Sequence, residues 1–183
     1  MNSIRISGGL LKGKKINHKY NLYPKYNSSM SIQDNFRLAM RSYIYSVSVL
    51  SNKTEDGNCN AITVSSVTSI SMDPPSLLVC INKDSKIHSS LKEGSDFCIN
   101  LLKKDQQNIS NVCSSEAMHD QRFDDPNWDT ELVPYLANAQ ANIFCKVDKL
   151  IPYHTHTIVI AHVTKSTSKD NINTLTYVDG SYA

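Results

Sequence analysis

The stretch that decides the fold is NAITVSSVTSISMDPPSLLVCIN, residues 60–82. Its first part, residues 61–66, alternates apolar and hydroxyl side chains, a pattern typical of a β-strand with two different faces. Ile62 and Val64 are then expected to face a core, while the hydroxyl side chains face the other way. This part of the chain therefore predicts a strand that is apolar on one face only.

The end of the same stretch predicts a second strand. Residues 76–82 are nearly all apolar, which is typical of a strand buried on both faces. Residues 72–75, Met-Asp-Pro-Pro, are expected to form the turn between the two strands. A core strand next to a row of small hydroxyls predicts a surface on which a flat, hydrogen-bonding ligand lies across the sheet.

Length and composition indicate one ordinary globular domain. The chain has 183 residues, of which 40% are hydrophobic and 20% charged. No apolar run approaches the roughly 20 residues that span a bilayer, and no signal-peptide core begins the chain. We therefore expect a cytoplasmic protein without membrane contact.

The five cysteines are widely spaced, and none forms a Cys-x-x-Cys pair. Buried, reduced thiols are the expectation, with a structural disulfide or a reactive thiol as alternatives.

The charge is uneven along the chain. Residues 1–30 carry six cations and no acid, which leaves 13 cations and 17 acids, a formal charge of −4, for the rest. We treat residues 1–30 as a basic N-terminal arm and residues 31–183 as the domain. The arm is either a solvated tail or a contact with an acidic partner, nucleic acid or a dimer mate. Nucleic acid is not expected, because no recognisable nucleic-acid motif accompanies the cations.

A helix is expected first in the domain. Ser31 and Asp34 form a capping-box-like pair at its start. Apolar residues recur at helical spacing, which predicts that one face of this helix packs on the body of the domain. These residues are Ile32, Phe36, Ala39, Met40 and Tyr43.

Strands dominate the remainder. A half-buried strand at 45–49 and a hairpin turn at 54–58 precede the deciding stretch. Further elements are expected in this order: a short helix at 85–92 that ends at Gly94, a strand at 96–102, a helix at 105–113, a polar irregular segment at 114–134, two long strands at 139–150 and 156–165, and a strand at 174–178. Many strands and few short helices predict a mainly β fold, a β-barrel with short helices.

Five landmarks together resemble the flavin reductase family. In family order, they are FRLAM at 36–40, VSSVTSISMDPP at 64–75, DFCINLL at 96–102, Arg122-Phe123, and TLTYVDGSY at 174–182. The proline-turn segment is the most specific of them, and the resemblance covers about residues 32–182. It implies an FMN-binding split β-barrel, with FAD as the alternative flavin, NAD(P)H as co-substrate, and a homodimer.

The resemblance also implies which residues form the site. His156 matches a histidine near the nicotinamide and is the catalytic candidate. The candidate flavin-binding residues are Asn60, Ala61, Thr63, Ser65, Ser66, Cys80, Asn82, Ser85, His88 and Arg122. Ser85 and His88 would lie on one face of a helix whose N-terminus favours the flavin phosphate. Arg122 would reach the flavin or nicotinamide from the long loop, and is otherwise a surface residue.

Four residues depart from the family pattern. Asp84 and Ile87 stand where hydroxyl residues are usual, and Asp84 would cap the helix, with Lys83 and Lys86 offsetting its charge. His154 and Thr155 replace the glycine and aspartate that usually precede the histidine. If residues 154–156 are a strand, His154 and His156 share a face, which leaves a two-histidine metal site as an alternative; no metal is our expectation, because a third ligand is not evident.

The sequence therefore predicts an NAD(P)H:flavin oxidoreductase, with a monooxygenase as the candidate partner that receives reduced flavin. A cofactor carries such chemistry, so the lack of a carboxylate dyad is no objection. The alternative is a non-catalytic flavin-binding protein, an electron carrier, store or sensor, favoured by the four departures. A scaffold protein on the same barrel, contacted through the arm, is the third hypothesis.

Overall fold

The computed structural model describes residues 30–183. The predicted basic arm lies outside the described residues, apart from Met30. Two α-helices are present in the described part, α1 at Ile32–Arg41 and α2 at Gln107–Ser114. Three short 3₁₀ helices lie at Lys86–Ser90, Lys104–Gln106 and His119–Gln121. The strands are β1 Tyr45–Ser46, β2 Ser48–Lys53, β3 Cys59–Val64, β4 Thr68–Met72, β5 Pro75–Asn82, β6 Asp96–Leu101, β7 Trp128–Asp129, β8 Tyr135–Leu136, β9 Ala141–Tyr153, β10 His156–Ser168, β11 Thr176–Val178 and β12 Ser181–Tyr182.

Seven strands form one antiparallel sheet in the order β3-β2-β6-β9-β10-β5-β4. The long hairpin of β9 and β10 lies near its middle, and each of these two strands has 13 residues. Strands β1, β11 and β12 form a second small sheet, and β7 pairs with β8. The prediction of a mainly β fold with short helices is confirmed.

The large sheet curls until the chain that follows β3 meets β5. These two parts of the barrel are joined by a side chain: Ser66 Oγ accepts from Cys80 N at 3.0 Å and donates to Cys80 O at 3.3 Å. One hydroxyl thus satisfies both backbone groups of a residue on β5. We call this junction the Ser66 seam.

Alternation along the strands divides the apolar residues into two cores. The barrel interior contains Leu50, Val64, Leu77, Val79, Ile81, Ile87, Leu91, Phe97, Ile99, Cys145, Val147, Val159 and Ala161, with Ile62 packed against them. A second core lies between the outer face of the sheet and α2 and contains Val47, Val49, Ala61, Leu102, Ile109, Cys113, Leu136, Ala139 and Leu175. Ile62 and Val64 therefore face the barrel core, as predicted, while their neighbour Ala61 faces α2.

A buried asparagine on β6 ties four strands together. Asn100 Nδ2 donates to Val49 O at 3.0 Å and to Ser51 Oγ at 2.9 Å, both on β2. Its Oδ1 accepts from Leu136 N of β8 at 2.7 Å and from Asn142 Nδ2 of β9 at 2.9 Å. Because a buried polar group must be paired to be tolerated, this network fixes the register of β2, β6, β8 and β9 together.

The deciding stretch contains three strands where two were predicted. Thr68–Met72 is a separate strand, β4, and it forms a hairpin with β5. The predicted turn lies between them, and its Asp73-Pro74 peptide bond is cis. The prediction that residues 76–82 are buried on both faces is wrong: Leu77, Val79 and Ile81 are buried, but the alternate residues are half-buried or, at Asn82, exposed. The reason is the position of β5 next to the edge strand β4, where its outward face is incompletely covered.

Helix α1 begins as predicted but does not pack as predicted. Ser31 is its N-cap, and Ser31 Oγ accepts from Asp34 N at 3.1 Å. None of its residues is buried, and Ile32 and Phe36 are 73% and 65% exposed. The apolar stripe read from the spacing is real, but in this chain it faces away from the body of the domain.

The other predicted elements are found with changed bounds. The helix expected at 85–92 is a five-residue 3₁₀ helix that ends at Ser90, and Gly94, at φ +84°, belongs to the turn before β6. The long strands continue beyond their predicted ends because they pair with each other along almost their whole length. The polar segment 114–134 contains the 3₁₀ helix His119–Gln121 and β7.

We predict that Asn100→Ala lowers the free energy of unfolding by roughly 3 kcal/mol, because it leaves a buried backbone N–H and a buried amide without their acceptor. Urea denaturation followed by circular dichroism measures this. Asn171→Ala, an exposed asparagine, is the control and should change stability by less than about 0.5 kcal/mol. A loss below about 1 kcal/mol for Asn100→Ala would show that the network contributes little.

Candidate active site

A cleft of about 200 Å³ lies where the end of β5 meets the long loop. It is lined by Ile62, Asn82, Asp84, Ser85, Lys86, Ile87, Cys113, Ser114, Glu116 and Arg122. Three of the predicted flavin-binding residues, Asn82, Ser85 and Arg122, line it together. Arg122 is far in sequence from Asn82 and Ser85, so the fold has brought together two parts of the chain that the sequence could only name separately.

Arg122 is the buried cation of the cleft. The residue is 6% exposed, so the alternative of a surface arginine is wrong. Its Nη1 donates to Ala61 O at 2.7 Å and its Nη2 to Ser115 O at 3.1 Å. Its Nε has no hydrogen-bond partner among the described residues. Two carbonyls therefore fix the guanidinium, which brings a positive charge to the wall of the cleft.

A second cation and one acid complete the polar lining. Lys86 Nζ lies 2.8 Å from Glu116 Oε1, and Arg122 Nη2 lies 3.6 Å from Glu116 Oε2. The hydrogen bond from Lys86, with the charges of Lys86 and Arg122, lowers the pKa of Glu116. Sequence reasoning missed Glu116, because a single acid in a polar loop carries no signal of its own.

The strand end beside the cleft is ordered by local hydrogen bonds. Asn82 Oδ1 accepts from Asp84 N at 3.0 Å, and Ser85 Oγ donates to Asn82 O at 2.6 Å. The N-cap of the 3₁₀ helix is Ser85, so the expectation that Asp84 caps it is wrong. The two lysines do not pair with Asp84 either: Lys86 pairs with Glu116, and Lys83 Nζ donates to His154 O at 2.7 Å.

His156 lies directly across from the cleft-lining strand end. It is the antiparallel partner of Asn82 in the β5–β10 pairing, and it is exposed. Its Nδ1 lies 2.9 Å from Thr155 Oγ1. The structure therefore brings the catalytic candidate to the same end of the barrel as the cleft.

The two-histidine alternative does not have the geometry it requires. His154, at φ +46°, lies in the tight turn between β9 and β10, so it does not share a strand face with His156. Among residues 30–183, no group of three or more His, Cys, Asp or Glu side chains is placed to hold a metal ion.

The remaining predicted residues lie near the cleft or make structural contacts. Thr63 Oγ1 donates to Ser110 O in α2 at 2.7 Å, and Ser66 forms the seam with Cys80. Ser65 is exposed, and Asn60 is half-buried opposite Asn52 of β2. His88 Nε2 lies 2.8 Å from Thr157 Oγ1 on β10, and His88 does not line the cleft with Ser85.

The thiols are unpaired, as expected: all five cysteines are free. Burial raises the pKa of Cys113, next to the cleft, to about 12. Burial likewise raises the pKa of Cys145 to about 12 and the pKa of Cys98 still further. A thiol of such high pKa is a poor nucleophile at neutral pH, so these three side chains serve packing.

A larger cavity, of about 480 Å³, lies beside β6, β9 and the segment before β8. Tyr135, Phe144 and Lys165 are among its lining residues, and Lys165 Nζ lies 5.5 Å from the centre of the Phe144 ring. None of the predicted site residues lines it. We therefore take the smaller cleft, with its buried arginine and the nearby histidine, as the candidate active site.

A mainly antiparallel barrel, with a cleft lined by two cations and two acids beside an exposed histidine, is the arrangement expected of a cofactor-binding β-barrel protein. The sequence matches the family described as flavin reductase like domain over residues 40–183. The chain belongs to this family. The predictions of the family and fold, and of an oxidoreductase that acts on flavin with a nicotinamide donor, are confirmed.

Two curated relatives show how near the match is. The reductase component of an FADH(2)-dependent resorcinol hydroxylase from Rhizobium sp. (strain MTP-10005) is 35% identical over 154 residues, which cover 82% of this chain and 86% of the relative. The NADH-dependent flavin reductase StyB from Pseudomonas fluorescens is 35% identical over 129 residues, 70% of this chain and 74% of the relative.

Solved structures of flavin reductases have the same fold as this chain. The styrene monooxygenase flavin reductase SMOB from Pseudomonas putida S12 aligns with a TM-score of 0.73 at 32% identity, over 81% of this chain and 96% of that one. BorF, the flavin reductase component of a bacterial two-component tryptophan halogenase, aligns with a TM-score of 0.74 at 26% identity, over 82% of this chain and 96% of that one. In the described part of this chain, neither α-helix has the length and apolarity needed to cross a bilayer.

Proposed function

We propose that this protein reduces FMN with NADH and passes reduced flavin to a partner monooxygenase. The observation that carries the proposal is the cleft formed by Asn82, Ser85, Lys86 and Arg122, next to His156, in a chain of this family. NADH is supported as donor by relatives named for it, StyB and the FMN reductase (NADH) RutF of Pantoea ananatis, which is 30% identical over 150 residues. The oxygenase partner is supported by the relative named as a hydroxylase reductase component.

The side chains of the cleft fit a flavin phosphate. Arg122 would attract it with the positive charge of a guanidinium that two carbonyls already fix. Lys86 adds a second positive charge, and the Ser85 hydroxyl adds a short polar contact. The 3₁₀ helix has only five residues, so the attraction for an anion comes from these side chains rather than from a helix dipole.

The flavin ring would lie along the border of β3 and β5. Backbone groups and hydroxyls of Asn60, Ala61, Thr63, Ser65, Ser66 and Cys80 are the candidates for its polar edge. When bound, flavin accepts a hydride from nicotinamide, and the protein's part is to position the two. His156, which is exposed at the start of β10, would orient the nicotinamide. His88 would support β10 through its contact with Thr157.

A homodimer is part of the proposal. The exposed apolar stripe of α1, which includes Ile32 and Phe36, is the surface we assign to the second copy. A stripe of this kind is costly to leave in water. We also propose that residues 1–30 form a basic arm separate from the domain, and that the protein is cytoplasmic, which its five free cysteines support.

A non-catalytic flavin-binding protein, a carrier, store or sensor, is the second candidate. One observation favours it: Ile87, which stands where a hydroxyl residue is usual, is 1% exposed within the barrel core. Its side chain offers the phosphate no hydrogen bond. The protein would then bind flavin without reducing it with NAD(P)H.

The test of the function is FMN titration by fluorescence quenching, followed by NADH in the same cuvette. We expect saturable binding and then decay of the nicotinamide absorbance, faster with NADH than with NADPH. If FMN binds but NADH is not oxidised, the reductase function is refuted and the carrier, store or sensor is supported. Absence of FMN binding would refute both.

We predict that His156→Ala raises KM for NADH about tenfold, the effect of losing one hydrogen bond to a charged or polar ligand. KM for FMN should change by less than about twofold, because the cleft side chains are untouched. Steady-state kinetics with each substrate varied in turn measure this. His162→Ala is the control, since His162 lies on the same strand about 20 Å further along. If His156→Ala changes KM for NADH and KM for FMN equally, the proposed role of His156 in orienting the nicotinamide is refuted.

We predict that Phe36→Glu converts the dimer to a monomer, because it places a charge in the apolar stripe of α1. Light scattering after size-exclusion chromatography gives the mass. Ile172→Glu, at an exposed apolar residue in the loop after β10, is the control and should remain dimeric. A Phe36→Glu dimer would place the interface elsewhere, and a monomeric wild type would refute the dimer.

A further inference from the structure

We propose that Glu116 is a specificity-determining residue of the cleft: its carboxylate occupies the cationic subsite and competes with the flavin phosphate. Glu116 thereby sets how strongly the protein prefers phosphorylated flavin to riboflavin. This inference rests on the proposed function, because it assigns the cleft to the flavin phosphate.

The geometry shows one carboxylate held between two cations. Its Oε1 lies 2.8 Å from Lys86 Nζ and its Oε2 3.6 Å from Arg122 Nη2. Both cations line the cleft, and they are the two charged donors that an incoming phosphate would use. A carboxylate and a phosphate both present oxygen acceptors to such a pair, so they compete for the same donors.

The three side chains differ in their freedom to move. The Arg122 side chain is 5% exposed and bound to two carbonyls, so it stays in place. The side chains of Lys86 and Glu116 are 55% and 64% exposed, and long exposed side chains rearrange quickly. An arriving phosphate can therefore displace Glu116 into solvent, while Arg122 remains as a preformed half of the subsite.

Charge balance determines the direction of the effect. Lys86 and Arg122 bring two positive charges to the cleft lining, and Glu116 and Asp84 bring two negative charges. A phosphate entering this formally neutral cleft must break an ion pair and approach a carboxylate. Riboflavin has no phosphate, so its binding leaves the Glu116 ion pairs intact. Removal of the Glu116 charge should therefore strengthen FMN binding and leave riboflavin binding unchanged.

The experiment measures Kd for FMN and for riboflavin by fluorescence quenching, in the wild type and in Glu116→Gln. Glutamine keeps the length of the side chain and removes its charge. We expect Kd for FMN to fall about threefold, the size of one exposed ion pair, while Kd for riboflavin stays the same. Glu55→Gln is the matched control: Glu55 is an exposed glutamate in the β2–β3 turn that does not line the cleft, so it reports the effect of net charge alone.

The outcomes separate the inference from the function on which it rests. If Glu116→Gln leaves Kd for FMN unchanged, or if Glu55→Gln lowers it equally, the competition is refuted while flavin binding stands. If Glu116→Gln weakens FMN binding, Glu116 orients Lys86 and Arg122 for the phosphate, and the competition is again refuted. If the wild type binds neither flavin, the proposed function and the inference fail together.

Discussion

The hydrogen bonds of Asn100 are the constraint on which the architecture depends. One amide joins β2, β8 and β9 to β6, and through Leu136 it holds β8 against the sheet. Strand β7, paired with β8, carries Trp128, whose ring meets that of Phe123 edge-on at 4.9 Å. Phe123 is the neighbour of Arg122. A polar group in the core is thus linked by successive contacts to the position of the buried cation in the cleft.

The cleft combines a rigid half with a mobile half. Arg122 is immobilised by backbone carbonyls of Ala61 and Ser115, whereas Lys86 and Glu116 are exposed and meet only each other and the guanidinium. A preformed donor reduces the entropy lost when a ligand binds. When the cleft is empty, Glu116 pairs with Lys86 and Arg122; because the side chains of Lys86 and Glu116 are exposed, they can rearrange when a ligand enters. In the proposed function, affinity for the flavin phosphate and discrimination against it therefore depend on different side chains.

Alternation and turn chemistry were enough to predict most strands of the large sheet, because those strands have one face in a core. Strand β4, which has no buried residue, was missed. Two wrong predictions, on the packing of α1 and on the burial of β5, share a cause: both concern what covers the outer surfaces. Spacing indicated the apolar stripe of α1 but not where it faces, and the composition of β5 did not reveal its place beside an edge strand. For the candidate site, the resemblance named Asn82, Ser85, Arg122 and His156, which the fold brings to one end of the barrel. It gave no warning that Arg122 is buried or that Glu116 neutralises it, since both depend on contacts across the fold.

The Ser66 seam has a consequence for exchange of the flavin. Elsewhere around the large sheet, neighbouring strands are held by ladders of backbone hydrogen bonds, which open only cooperatively. At the seam, a single hydroxyl makes both bonds, and a hydroxyl exchanges protein partners for water or a ligand at small net cost. The two parts of the barrel can therefore separate at the Ser66 seam while the backbone hydrogen bonds between paired strands remain intact. If flavin binds at this border as proposed, such a seam would permit its loading and release without partial unfolding.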